Sequence, residues 1–89
     1  MKLQIVSRTG AIFEGDVSEV VVPATEGELG ILPGHTPLLA ILVPGTVRFV
    51  TSDGMRHTFE TANGLVTLED DEIVVVVDAG KEAASVKAV

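Results

Sequence analysis

The chain has 89 residues and a formal charge of −7, and a hydrophobic fraction of 46% that contains only 3% aromatics and no cysteine. A length of this order gives one domain that buries only about 60–70% of its unfolded surface, with no disulfide or thiolate metal site to reinforce it. The acidic balance opposes a phosphate backbone, no apolar run nears the ~20 residues of a membrane span, and Met1-Lys2-Leu3-Gln4 opens no signal-peptide core, so nucleic-acid binding, membrane insertion and secretion by that route are not expected.

With so few aromatics, aliphatic side chains must fill the core, and the β-branched ones favour pleated sheet. In chain order, strands are predicted near Leu3 to Ser7, Val17 to Pro23, Leu38 to Leu42, Thr46 to Thr51, Met55 to Ala62, Gly64 to Glu69 and Glu72 to Asp78. Phe13-Glu14-Gly15 reads as a turn leading into Val20-Val21-Val22-Pro23, Ser52-Asp53-Gly54 as a hairpin turn, and Asp70-Asp71 as the link between the last two strands. Val47, Phe49 and Thr51 alternate with Arg48 and Val50, and Arg56, Thr58 and Glu60 with His57 and Phe59, so these strands have one drier and one wetter face. Ile73-Val74-Val75-Val76-Val77 does not alternate. A strand apolar on both faces should be central in its sheet or covered by something else. Many short strands, tight turns and no helical period imply an all-β domain, either sandwich or barrel, over residues 1–80. Residues 81–89 change to Ala, Lys and Glu, good helix formers in a run too short to hold alone, and are expected as a tail of at most one or two frayed turns.

The stretch from Gly27 to Pro44 is the densest in turn chemistry. Gly27, Gly30 and Gly34 admit backbone angles closed to other residues, while Pro33, Pro37 and Pro44 each fix one angle and remove a donor. It reads as a stiff, shaped loop that presents Ile31, Leu32, Leu38 and Leu39. A stiff loop loses little entropy when it docks, which suits a binding surface.

The series Gly27-Glu28-Leu29-Gly30-Ile31, Pro33-Gly34-His35, Pro37-Leu38-Leu39 and Pro44-Gly45-Thr46-Val47-Arg48 resembles the signature of the small rotor-stalk subunit of F-type ATP synthases, called epsilon in bacteria and chloroplasts and delta in mitochondria. The resemblance runs through about the first 80 residues and selects a flattened antiparallel β-sandwich of about eight to ten short strands. It implies a non-catalytic subunit of the F1 sector, peripheral on the cytoplasmic face of the bacterial inner membrane. There it would wedge between the gamma subunit and the c-ring and pass rotation on during ATP synthesis. It also implies that Glu28 faces the polar loops of the c-ring, where a basic residue would set register, and that His35, Leu38 and Leu39 lie near gamma. Gly30, Ile31, Pro33 and Gly34 complete the expected partner-binding set. In many relatives a helical hairpin follows this point and in some it inhibits hydrolysis or binds ATP. The hairpin is missing from this sequence, so neither inhibition nor ATP binding is expected.

Other chemistry finds little support. His35 has only His57 as a companion and neither a metal-ligand spacing nor a triad can be assembled, so it is expected to cap a turn or meet a partner; no metal, cofactor or catalytic residue is assigned. Gly30 to Thr36 lacks the Gly-Lys-Ser/Thr ending of a phosphate loop. Glu69-Asp70-Asp71-Glu72 reads as a solvated hairpin tip rather than a cation site. The turn Ala62-Asn63-Gly64 departs from the family's Ser-Gly-Gly, with Asn expected to tolerate a left-handed backbone. The main rival is a lipoyl or biotinyl carrier domain, also small and acidic, but Lys2, Lys81 and Lys87 all lie near the termini instead of at a hairpin tip.

Overall fold

The computed structural model describes residues 1–77 together with Lys87 and Ala88. The strands are β1 (Lys2–Ser7), β2 (Gly10–Ala24), β3 (Gly27–Ile31), β4 (Leu38–Leu42), β5 (Gly45–Thr51), β6 (Arg56–Thr61), β7 (Gly64–Glu69), β8 (Glu72–Val77) and the two-residue β9 (Lys87–Ala88). There is no helix among the described residues. The all-β expectation holds, and six of the seven predicted strands match within two residues.

Two differences follow from tertiary pairing. The first is β2, which is 15 residues long rather than the seven of Val17 to Pro23. Its first half pairs with β1, from Ser7↔Gly10 to Lys2↔Asp16, and its second half pairs with β3 and β5. Phe13-Glu14-Gly15 is therefore strand and not turn. In that conformation the Phe13 ring lies against Phe49, with centroids 4.6 Å apart. The second is Gly27–Ile31, which is a strand in antiparallel register with Val20 to Ala24 and not part of a long loop. Thr25 and Glu26 make the hairpin turn, and Gly27 enters β3 at φ 118°, a conformation closed to other residues.

The hydrogen-bonded path runs β1-β8-β7-β4-β2-β5-β6-β9, with β3 on the free side of β2, and returns on itself through the β1–β2 pairing. It folds into two layers. One contains β4, β7, β8, β1 and the first half of β2; the other contains β3, the second half of β2, β5, β6 and β9. All pairings are antiparallel except β1 with β8, which is parallel. Between the layers lie the inward side chains of alternate positions: Leu3 and Ile5 of β1, Val20 and Val22 of β2, Val47 and Phe49 of β5, Val66 and Leu68 of β7, and Ile73 and Val75 of β8, each at most 3% exposed. Phe49 and Phe59 supply the largest volumes in this aliphatic core.

Strand β8 is central, flanked by β1 and β7, as its composition requires. Its other face is not fully covered, and Val76 is 43% exposed. The link from β7 to β8 uses Asp70 at φ 52° and Asp71 at φ 63°, the two consecutive left-handed residues of a tight primed hairpin turn. Asn63 needs no such angle, since Asp70 and Asp71 are the non-glycine residues at positive φ among the described residues. Gly64 is required for space: a Cβ there would fall onto the Val76 carbonyl oxygen. In the tail, Lys87 and Ala88 extend the second layer by pairing with Thr58 and His57, where helical turns had been expected. The boundary at residue 80 and the remainder of 81–89 lie outside the described residues.

Candidate functional site

The signature stretch resolves into three parts: β3, a connection of residues 32–37, and β4. Within β3 the alternation is strict, so Leu29 and Ile31 point inward while Glu28 and Gly30 point outward. Ile31 is fully buried and pairs with Val20. Its expected role as a presented docking residue is corrected accordingly, because the side chain belongs to the core.

Residues 32–37 form the exposed connection. Pro33 and Gly34 occupy its turn, with Gly34 at φ 86°, and the Gly34 N–H donates to Asp71 Oδ1 at 3.3 Å. Asp71 therefore does more than solvate a hairpin tip, since it also lies 3.8 Å from the Met1 amine and so ties the connection to the chain start. The His35 N–H donates to the Leu32 carbonyl at 3.1 Å, and His35 Nδ1 donates to the Thr36 carbonyl at 2.7 Å. That arrangement caps the turn, as anticipated, and turns Nε2 of the exposed ring away from the cap, available to a partner.

Strand β4 leaves the connection with Leu38 half-buried against the core and Leu39 68% exposed, so Leu39 is the outward one, as expected. Leu39 does not stand alone. Ile41 is 56% exposed and pairs across the sheet with Leu65, which pairs with Val76, which pairs with Val6. An apolar row thus crosses the outer face of four strands, β4, β7, β8 and β1, flanked by Leu39 and Val74 one step along. Sequence reasoning missed Ile41 and Val76 as exposed residues. The signal was present in the unbroken apolar run of β8, which could not place every side chain in one core.

The opposite outer face carries charge. Glu28 Oε2 and Oε1 accept from the two terminal nitrogens of Arg48 at 2.9 and 3.2 Å, a bidentate pair reaching from β3 over β2 to β5. This hydrogen bonding, and then the Arg48 charge, hold the Glu28 carboxyl below its usual range, and the same contacts raise Arg48. Glu28 is 57% and Arg48 46% exposed, so the pair stands open to solvent. The Glu28 carboxylate, expected to face an outside partner, is thus also partnered within the chain. Arg48 was part of the signature but had not been assigned a role.

Apart from Ile31, which is core, and Leu38, which packs against it, the site residues fall on two faces and the rim joining them. Leu39 lies on the apolar face, Glu28 and Gly30 on the charged face, and Pro33, Gly34 and His35 between them.

Comparison with known proteins agrees with this architecture. The family profile described as "ATP synthase, Delta/Epsilon chain, beta-sandwich domain" matches residues 1–83. The chain is 39% identical over 84 residues to the ATP synthase epsilon chain of Bordetella petrii and 35% identical over 83 residues to that of Psychrobacter arcticus, covering 94% and 93% of itself. It spans about 60% of the length of these relatives. Its fold is shared with a chain in the Euglena gracilis mitochondrial ATP synthase (OSCP/F1/c-ring), with a TM-score of 0.79 and 21% identity over 84% of this chain and 48% of that one. A chain in the central stalk/c-ring of the Tetrahymena thermophila mitochondrial ATP synthase gives 0.73 and 19% identity over 89% and 63%. With its profile match over nearly the whole length and its two-layered sheet, the chain belongs to the ATP synthase delta/epsilon family, as its β-sandwich domain.

Proposed function

We propose that this sandwich is a non-catalytic rotor element of an F-type ATP synthase, wedged between the gamma subunit and the c-ring on the cytoplasmic side of the membrane, where it passes ring rotation to gamma. The observation that carries this reading is the apolar row Ile41-Leu65-Val76-Val6 with Leu39 beside it, in which Leu39, Ile41 and Val76 stand exposed among the described residues, a hydrophobic patch of a kind that marks a protein interface. Gamma is the partner for that face, and the c-ring loops are the partner for the charged face that holds Glu28. A torque-transmitting wedge must be stiff. Two layers locked by β2, which runs through both, supply that stiffness.

Co-purification with gamma and the c-ring tests the assignment. Leu39→Asp is expected to weaken assembly with gamma, and Glu28→Lys to weaken docking to the c-ring, each by about tenfold or more, the scale of a lost interface anchor. If both variants fold and assemble as well as the wild type, these partner assignments are wrong.

A further inference from the structure

Gly30 is a glycine that nothing among the described residues requires. It lies inside β3, where glycine weakens a strand through lost entropy and missing side-chain packing. Three physical needs usually explain such a residue: a left-handed backbone, a close neighbour, or a bulge. Gly30 is absent from the positive-φ glycines, which include Gly27 and Gly34 on either side of it. A Cβ built on Gly30 would meet nothing within 4 Å among the described residues, whereas one on Gly64 would collide with backbone and one on Gly45 would press on Pro23. Its register with Val21 continues evenly from Ala24↔Gly27 to Val20↔Ile31, with no bulge.

The notch at Gly30 has defined surroundings. Gly30, Val21, Arg48 and Thr58 form one cross-strand row on the charged face, and Glu28 lies two residues before Gly30 on the same side of β3. Beside the notch, Val21 offers an apolar floor. The Glu28–Arg48 pair forms one wall, and Arg48 uses two of its five N–H donors on Glu28, which leaves others for an acceptor brought in from outside. Because β3 pairs on one side only among the described residues, with β2, its other edge offers main-chain donors and acceptors there.

We infer that Gly30 is bare so that the main chain of a partner loop can lie directly against β3, beside the Glu28–Arg48 pair. The occupant is a polar turn of the c-ring, which presents a cation toward Glu28 and main-chain carbonyls toward Arg48. This rests on the proposed placement of the charged face against the c-ring and adds that contact there is made by backbone in a notch, not by side chain against side chain. A partner reaching in with long side chains would not need the notch. Any side chain at position 30 would hold a main chain away by the diameter of its first carbon, and the donors of Arg48 would no longer reach.

The test compares wild type, Gly30→Ala, Gly30→Val and Glu28→Lys for thermal unfolding and for binding to the detergent-solubilised cognate c-ring and, separately, to gamma. Gly30→Ala is expected to melt at or above the wild-type temperature and yet bind the c-ring about tenfold more weakly, the scale of an overpacked contact. Gly30→Val should be weaker still, and gamma binding should not change. If Gly30→Ala binds the ring as wild type does while Glu28→Lys does not, the notch inference is overturned and the c-ring reading stands. If neither change matters to ring binding, both fall. A Gly30→Ala chain that does not fold would also overturn the inference, because the room claimed at this position would not exist, and loss of gamma binding instead of ring binding would overturn the choice of occupant.

Discussion

At the scale of single residues, the Glu28–Arg48 pair connects the signature to measurable behaviour. Glu28 titrates below its usual range because Arg48 donates two hydrogen bonds to it, and Asp53 does so because the Thr51 hydroxyl and then the Met55 N–H donate to it. A carboxyl whose pKa is lower folded than unfolded contributes stability that is present above the unfolded value, about 4.3 for Glu, and is lost as pH falls through the folded value. Both groups therefore favour the fold at neutral pH and begin to lose that contribution in acid below about pH 4, where the unfolded chain takes up protons first. Because both are exposed, solvent screening keeps the effect small. Arg48→Gln is expected to return Glu28 to the ordinary carboxylate range, read by NMR titration of its side-chain carboxyl, and to flatten the acid limb of the stability curve. An unchanged Glu28 titration in that variant would show that the pair does not persist in solution. The pair itself was only half legible in the sequence. Both residues belong to the signature, but 20 positions separate them, and only the register of β3, β2 and β5 brings them together.

Among the strands, local pattern and tertiary pairing made different contributions. Alternation in β5 and β6 gave their inward faces directly, with Val47, Phe49 and Phe59 buried and Arg48 and Arg56 exposed. Strands β2 and β3 were harder to read, because Gly15, Gly27 and Gly30 look like turn residues when no neighbour is considered. Gly15 lies in β2 with the Phe13 ring close by, 3.1 Å from where its Cβ would be. Gly64, at the start of β7, is the opposite case to Gly30. It is paired with Leu42 on one side and Val77 on the other, and the Val76 carbonyl occupies the space of a side chain. Gly64→Ala is expected to lower unfolding free energy by about 3 kcal/mol, because backbone rather than a movable side chain must give way. Chemical denaturation measures this directly, and a loss under about 0.5 kcal/mol, the level of a neutral surface change, would contradict the packing described here.

For the molecule as a whole, the balance between a small core and the exposed apolar side chains Leu39, Ile41 and Val76 predicts dependence on a partner. A ligand that binds only the folded chain stabilises it by about 2.7 kcal/mol at a hundredfold excess over Kd, worth about 10 °C or more in melting temperature for a domain of this size. Saturating gamma is expected to raise the melting temperature on that scale. Val76→Asp, on the exposed side of β8, should leave the free chain folded while abolishing the rise. A full rise with Val76→Asp would move gamma off this face. The sequence by itself determined the all-β class, most strand positions, the absence of disulfide chemistry and the family signature, because composition, period and turn residues act over a few neighbours. Only the tertiary structure decided that β2 runs through both layers, that Ile31 is core, that Glu28 is already paired with Arg48, and that Ile41, Leu65, Val76 and Val6 line up in one row. These facts depend on which strand lies beside which, and hydrogen-bonded register between segments distant in the chain leaves no mark on the local pattern of either.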